Sequence, residues 1–280
     1  MKAPDFNYEK PDTLEAALAL LAEGDGDAEP LAGGQSLMPM MNFRMAAPET
    51  LVDLNGIAEL TGICEDDAWV SVGAMTRYRE VEDSPLIAAS VPLIATALPH
   101  IAHAAIRNRG TVGGSIALAD PAAEMPAILL ALGGEVVLQS ASGQRVVAAD
   151  DYFLGVYETA READELIVAL RFPKARAGQR FGFHEIVRRH GDYAMAGAMI
   201  AADAGLASLR IALFGVADRP VRAPAAEAAL AGSDGGEAAL TAAVAALGEV
   251  GIDGDTHSTA ATKQHLAGVA LRRAFNEVMA

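Results

Sequence analysis

Arg107-Asn108-Arg109-Gly110-Thr111-Val112-Gly113-Gly114-Ser115 gathers the groups that bind anions: glycines, hydroxyls and guanidinium groups. Glycine tolerates positive φ and admits a ligand to bare backbone. Gly110, Gly113 and Gly114 therefore predict a nest of N–H groups aimed at one point, with Thr111 and Ser115 adding hydroxyl donors. A second loop, Ala32-Gly33-Gly34-Gln35-Ser36, repeats this chemistry. Two such loops suit a ligand with two phosphates. Neither contains G-x-G-x-x-G or G-x-x-x-x-G-K-[ST], which disfavours both the dinucleotide fingerprint of a doubly wound sheet and the P-loop. A glycine pair also makes an ordinary turn; the ligand reading rests on the two loops together, neither of which holds an acidic residue.

Composition narrows the field. The chain has 280 residues, enough for one large domain or two modest ones. Lys and Arg total 21 against 37 Asp and Glu, a formal net charge of −16. Nucleic acid is excluded, because phosphate-backbone affinity needs clustered cations. On so acidic a protein a diphosphate needs local compensation, which Arg107 and Arg109 can supply; solvated arginines at a helix end are the alternative. A single cysteine, Cys64, excludes an internal disulfide, a cysteine-ligated iron–sulfur cluster and a four-cysteine zinc site, and is expected to be a small buried hydrophobe. With no basic-then-apolar leader and no uninterrupted apolar stretch of about 20 residues, the expectation is a cytoplasmic protein without a membrane span.

The positioning elements follow from periodicity. Asp12 and Glu15 predict a capped helix carrying Leu14, Ala17, Leu18 and Leu21 on one face, broken over Gly24 to Glu29. Pro30–Ala32 and Leu51–Leu54 read as strands. The methionines of Leu37 to Met45 suit core filling or a flexible wall beside a planar ligand. Gly62–Cys64 and Trp69–Ala74 predict a hairpin, Pro85–Ala89 and Pro92–Ile106 helices, and Ala122–Leu132 another helix with Glu124 in its first turn. There Glu124 can cap backbone N–H groups or accept from a ribose hydroxyl. Glu135–Gln139, Arg145–Ala148 and Glu165–Phe172 read as strands. Beyond Lys174–Arg180, Phe181–Arg188, Ala194–Ala202 and Ser208–Val216 predict an antiparallel meander, covered by helices over Pro224–Ala231, Glu237–Leu247 and Ala260–Met279. His100 and His103 stand three apart on a predicted helix, but no third ligand of fitting spacing follows, so a metal is rejected. His190 and Asp192 flank Gly191, which favours a loop over a catalytic dyad.

Together with the opening Phe6-x-Tyr8-x-x-Pro11, the loops Ala32–Leu37 and Ile106–Ser115 strongly resemble the FAD-binding medium subunit of the molybdenum hydroxylases, the family of carbon monoxide dehydrogenase, xanthine dehydrogenase and bacterial N-heterocycle dehydrogenases. The likeness spans nearly the whole chain. It implies an α+β fold: a PCMH-type FAD-binding domain of two subdomains, 1–55 and 56–175, then a smaller domain, 176–280, with a three-stranded antiparallel sheet and helices. It implies that Ala32, Gly33, Gly34, Gln35 and Ser36 bind the FAD diphosphate together with Thr111, Val112, Gly113, Gly114 and Ser115. Gln35 replaces the histidine of some relatives, a change that backbone recognition tolerates. By the same resemblance Ile101, Glu124 and Ile167 lie near the cofactor, Glu124 on the adenosine side. His184 stands where some relatives have lysine, and Tyr193 shields the isoalloxazine face, whereas by pattern alone Tyr193 is a packed tyrosine at a strand start.

The implied chemistry is electron transfer, with no catalytic acid, base or nucleophile on this chain. Partners would be an iron–sulfur small subunit with [2Fe-2S] clusters and a molybdopterin-containing large subunit, assembled as a dimer of heterotrimers. The lone cysteine agrees, because those clusters must then sit elsewhere. Rival readings are a self-sufficient flavin dehydrogenase or oxidase, a non-enzymatic FAD-dependent assembly module, and a binder of another diphosphate nucleotide.

Overall fold

The computed structural model describes residues 2–24 and 26–280; Asp25, within the expected Gly24–Glu29 break, lies outside them. In the first section Thr50–Asp53 runs between Asn7–Glu9 and Ala28–Leu31, parallel to both. The register Leu31↔Asp53 brings the chain after each strand to the same edge, so the Ala32–Ser36 loop leaves beside Asp53 and Asn55. Helix Leu14–Glu23 buries Ala17, Leu18 and Leu21, as its spacing predicts. Its cap is Thr13 rather than Asp12: Thr13 is extended, and its hydroxyl accepts from Ala16 N at 3.2 Å. The helix therefore starts one residue later than the Asp12–Glu15 pair suggests.

The second section is built on a five-stranded antiparallel sheet, in the order Ile63–Glu65, Trp69–Gly73, Leu166–Pro173, Glu135–Ser140 and Gly143–Ala148. Val70 and Val72 point inward while Ser71 points outward, the alternation of a half-buried strand. Cys64 pairs with Ser71 on an edge strand and so shares its outward face. It is exposed, not the buried hydrophobe expected from composition. The pairing of Leu166–Pro173 with Glu135–Ser140 slips between Ile167 and Ala169, and the carbonyl of Val168 accepts from Ala74 N at 3.0 Å. That contact anchors the strand end from which the second glycine loop is approached.

The expected helix Pro92–Ile106 is broken. Pro92–Ala97 passes into a tight turn Leu98–His100, Ala102 takes a left-handed φ of 48°, and a separate turn of helix Ala104–Arg107 follows. His100 and His103 consequently do not share a helix face. Helix Val112–Leu118 starts from the second glycine loop, and every residue of Glu124–Leu132 is buried, so this helix forms the centre of the molecule.

In the last section the three expected strands, Arg180–Ile186, Ala196–Ala202 and Leu209–Phe214, form the meander, and a two-residue fourth strand, Val221–Arg222, joins its edge. One face, with Ala198, Ile200, Ile211 and Leu213, is covered by the 20-residue helix Ala260–Met279. The other, with Phe183, Met199 and Phe214, joins the core that contains Ile94, Ile128 and Phe172. The meander thus packs directly on the central helix and leaves a seam between the two.

Because Thr13 alone caps the first helix, Thr13→Ala should cost about 1 kcal/mol locally. Faster amide exchange in Leu14–Glu23, with little change in Asp12→Ala, checks it.

Candidate site at the junction of two glycine loops

The two glycine loops meet. A side chain at Gly33 would collide with the Arg109 carbonyl and come within 2.9 Å of Gly110 Cα, so only glycine allows this approach. A polar clamp holds them together. Arg77 donates from Nη1 to the Arg109 carbonyl and from Nη2 to Asn55 Oδ1. Asn55 Nδ2 donates to the Ala32 carbonyl at 3.0 Å, and Asp53 Oδ1 accepts from Asn55 N at 2.9 Å. Tyr8 donates to the other oxygen of Asp53. Beside the clamp lies a groove of about 370 Å³ lined by Gly33, Gly34, Gln35, Met38 and Arg109, among others.

The loops differ in what they offer. Among the described residues, no backbone acceptor is bonded to the N–H groups of Gly33, Gly34, Gln35 or Ser36. Gly33 is buried and the other three are half-buried, so these four consecutive donors are open to a ligand or to water. Gly34 has a left-handed φ of 70°, as the nest reading requires. The second loop is organised otherwise. Gly110, Gly113 and Gly114 all have negative φ, Val112 N donates to Thr76 O, Gly113 N to Ala74 O, and Gly114 N to the Thr111 hydroxyl. The expected nest is absent there because the turn Ala74–Thr76, just past strand Trp69–Gly73, takes two of these donors and the Thr111 hydroxyl takes the third. What this loop contributes is its close approach, the Thr111 cap and the start of the helix that carries Ser115.

Arg107 and Arg109 part company. Arg109 is exposed and lines the groove. Arg107 turns inward, with Nε 3.2 Å from Glu82 Oε2 and Nη1 donating to the carbonyls of Ile101 and Ala102 at 3.0 and 3.2 Å. Its charge is already matched by Glu82.

The remaining candidates gather at the seam. Glu124 is buried in the first turn of the central helix with its carboxyl against its own backbone N–H; burial and the nearby Asp120 carboxylate nevertheless push it up to about 7. Tyr193 is 60% exposed as a residue, yet its hydroxyl end reaches in beside Asp120 and Tyr157, where desolvation and the Asp120 charge push the phenol up to about 12. Tyr78, buried beside the Ser115 hydroxyl, is raised for the same first cause. Ile101 and Ile167 are buried. His184 is turned to the helix-covered face of the meander, its Nε2 3.1 Å from Arg273 Nη1, and is not drawn to the seam with the others.

Sequence reasoning missed Asp53, Asn55, Arg77 and Glu185. A polar Asp-x-Asn at the carboxyl end of a parallel strand was a usable signal, since ligand sites form at such ends. Glu185 carries no signal at all. It is 8% exposed, both of its oxygens lack a hydrogen bond of good geometry, and the nearest charge partner is His100 Nδ1 at 3.4 Å. Burial, then the Glu124 charge, push it up to about 8.

Comparison with known proteins places this geometry. Residues 4–175 match the family model described as FAD binding domain in molybdopterin dehydrogenase, and residues 181–278 the CO dehydrogenase flavoprotein C-terminal domain. The nicotine 6-hydroxylase medium subunit of Paenarthrobacter nicotinovorans is 39% identical over 281 residues, covering 99% of this chain and 98% of the relative. The solved carbon monoxide dehydrogenase of Hydrogenophaga pseudoflava superposes with a TM-score of 0.96 at 40% identity, covering 100% of this chain and 99% of that one. Quinoline 2-oxidoreductase of Pseudomonas putida 86 gives 0.93 at 36% identity, covering 99% and 98%.

Glu124 and Glu185 yield a pH test. Both carboxyls titrate above their ordinary value of 4.5 in the fold, so the stability they leave intact is full below about pH 4.5 and is lost as pH rises through about 7 to 8. Thermal unfolding between pH 5 and pH 8 (approximate limits) should show this decline in the parent chain and a shallower one in Glu185→Gln. The comparisons and the two glycine loops leave one assignment: the chain belongs to the FAD-binding family of the molybdopterin dehydrogenases, with the flavoprotein C-terminal domain of CO dehydrogenase.

Proposed function

We propose that this chain is the FAD-carrying medium subunit of a molybdenum hydroxylase, receiving electrons from an iron–sulfur subunit and passing them from flavin to an external acceptor. The observation that carries the reading is the row of open N–H groups over Gly33–Ser36, clamped by Arg77 and Asn55 against the second glycine loop. A diphosphate fits that donor set: its oxygens accept from backbone N–H groups without side-chain charge, and Arg109 stands beside them.

The residues that would hold FAD are Ala32, Gly33, Gly34, Gln35 and Ser36 on one loop and Thr111, Val112, Gly113, Gly114 and Ser115 on the other. Ile101, Glu124, Ile167 and Tyr193 would contribute from the seam, with His184 the least supported. FAD supplies the exchange between single electrons and electron pairs. The chain's own work is to bind, orient and shield. The first loop would fix the phosphate end through its backbone, so Gln35 can stand in place of histidine, and the second would close the site by its approach and its hydroxyls. Glu124, largely buried and titrating near neutrality, can accept from or donate to a ribose hydroxyl. The Tyr193 phenol stays protonated at neutral pH, leaving an uncharged ring at the mouth of the seam.

The division at 1–55, 56–175 and 176–280 belongs to the same proposal, as does assembly with a [2Fe-2S] small subunit and a molybdopterin-containing large subunit into a dimer of heterotrimers. With one cysteine, this chain cannot ligate those clusters itself. No described helix is long and apolar enough to cross a membrane, which is compatible with the proposed cytoplasmic location.

The test is the visible spectrum of the complex purified with its partner subunits, titrated with dithionite. Bound flavin that bleaches is expected; a flavin-free complex overturns the proposal. Gly33→Ala, by forcing the loops apart, should weaken FAD binding at least about fivefold, since overpacking of this kind costs about 1–3 kcal/mol.

A further inference from the structure

The four residues His100–His103 form a strap whose shape is imposed from outside. Ala102 holds a φ of 48°, a left-handed conformation that a residue with a Cβ keeps only when its surroundings enforce it. Arg107 enforces it from one side. Its Nη1 bonds both the Ile101 and Ala102 carbonyls, while Nε and Nη2 are taken by Glu82 at 3.2 and 3.4 Å. One guanidinium thereby fixes two consecutive carbonyls and has its own charge satisfied in place.

The strap also meets the turn that leads to Tyr193. Gly191 has a φ of 83°, and a Cβ there would stand 2.8 Å from Ala102 O and 2.9 Å from the His103 ring. The turn, closed by Asp192 N donating to Arg189 O at 3.0 Å, therefore rests directly on the strap. At the near end His100 lies 4.8 Å from the Phe183 ring and 5.6 Å from His190, centroid to centroid. Glu185 stands against His100 from the meander. Ile101 and Tyr193 are thus the two ends of one stack: guanidinium, strap, glycine turn.

We propose that Arg107 is a positioning residue for the flavin, setting Ile101 directly and Tyr193 through the Gly191 turn. This assigns Arg107 a role other than compensation of the diphosphate charge. The inference rests on the proposed FAD-binding function.

The test uses the complex purified with its partner subunits and then deflavinated, with FAD itself as the probe. Arg107→Met removes both carbonyl bonds. Loss of a hydrogen bond from a charged donor corresponds to about a tenfold change in a binding constant, and that is the rise expected in the FAD dissociation constant, read by flavin fluorescence quenching. The visible circular dichroism and the midpoint potential of the bound flavin should shift with it. Arg107→Lys should restore part of the change, because an ammonium can reach one carbonyl and Glu82 but lacks the planar fork. Gly191→Ala presses on the Ala102 carbonyl that Arg107 holds and should alter the dichroism and potential in the same way.

If Arg107→Met keeps the parent dissociation constant, dichroism and potential, the inference falls. If that variant does not assemble, Arg107→Lys decides: parent values of dissociation constant, dichroism and potential overturn the inference, and a partial shift in all three upholds it. A parent complex that takes up no FAD overturns the functional reading and this inference with it. Flavin uptake with indifferent variants overturns this inference alone.

Discussion

The close approach of Gly33 to Arg109 and Gly110 is the contact on which the candidate site depends. The first loop leaves a parallel sheet, the second leads into a helix laid against an antiparallel sheet, and nothing in either sheet alone would bring them together. Asn55 and Arg77 do so by bonding a carbonyl from each loop, Ala32 and Arg109. Those carbonyls would otherwise compete for the space that the open N–H groups face. By spending side-chain donors on carbonyls, the clamp leaves backbone donors free for a ligand, which is the reverse of what a loop usually does with its polar groups.

A second constraint acts at the seam. The central helix Glu124–Leu132 is buried on every side because the meander covers what the five-stranded sheet does not. Placing carboxyls in such a seam is costly, and Asp120, Glu124 and Glu185 all respond by holding their protons more tightly. Buried acids in so apolar a core are hard to explain as stability devices.

Much of the fold was legible because its elements obey short-range rules. The helix Leu14–Glu23, the strands about Glu135–Gln139 and Arg145–Ala148 and the meander all follow from spacing and turn residues, and the glycine loops announced themselves by composition. What stayed hidden was set by distant partners. Pro92–Ile106 reads as one helix only if Pro99 is passed over: without an N–H it cannot continue the helix, which ends at Ala97, and Arg107 then holds the carbonyls of Ile101 and Ala102. Cys64 reads as buried until its pairing with Ser71 turns it outward. Gly113 and Gly114 read as a nest until the Ala74 carbonyl and the Thr111 hydroxyl claim their N–H groups. Glu185 had no local signature, since its meaning comes from His100 and Glu124 on other elements.

These distant partners also determine what binding can do for the fold. A diphosphate held between Ala32–Ser36 and the second loop would contact a native state in which both sheets and the clamp already exist, and no part of it would be bound by either loop in an unfolded chain. Such a ligand stabilises the assembled form by mass action. The effect would be felt most where the structure holds itself least, at the loop junction and at the strained strap, while the cores behind them are already closed. The acidic surface, at a net charge of −16, sets a bulk field against an anionic cofactor. Recognition therefore has to come from short-range backbone donors and shape, the two properties that the Gly33 contact and the Arg77 clamp provide.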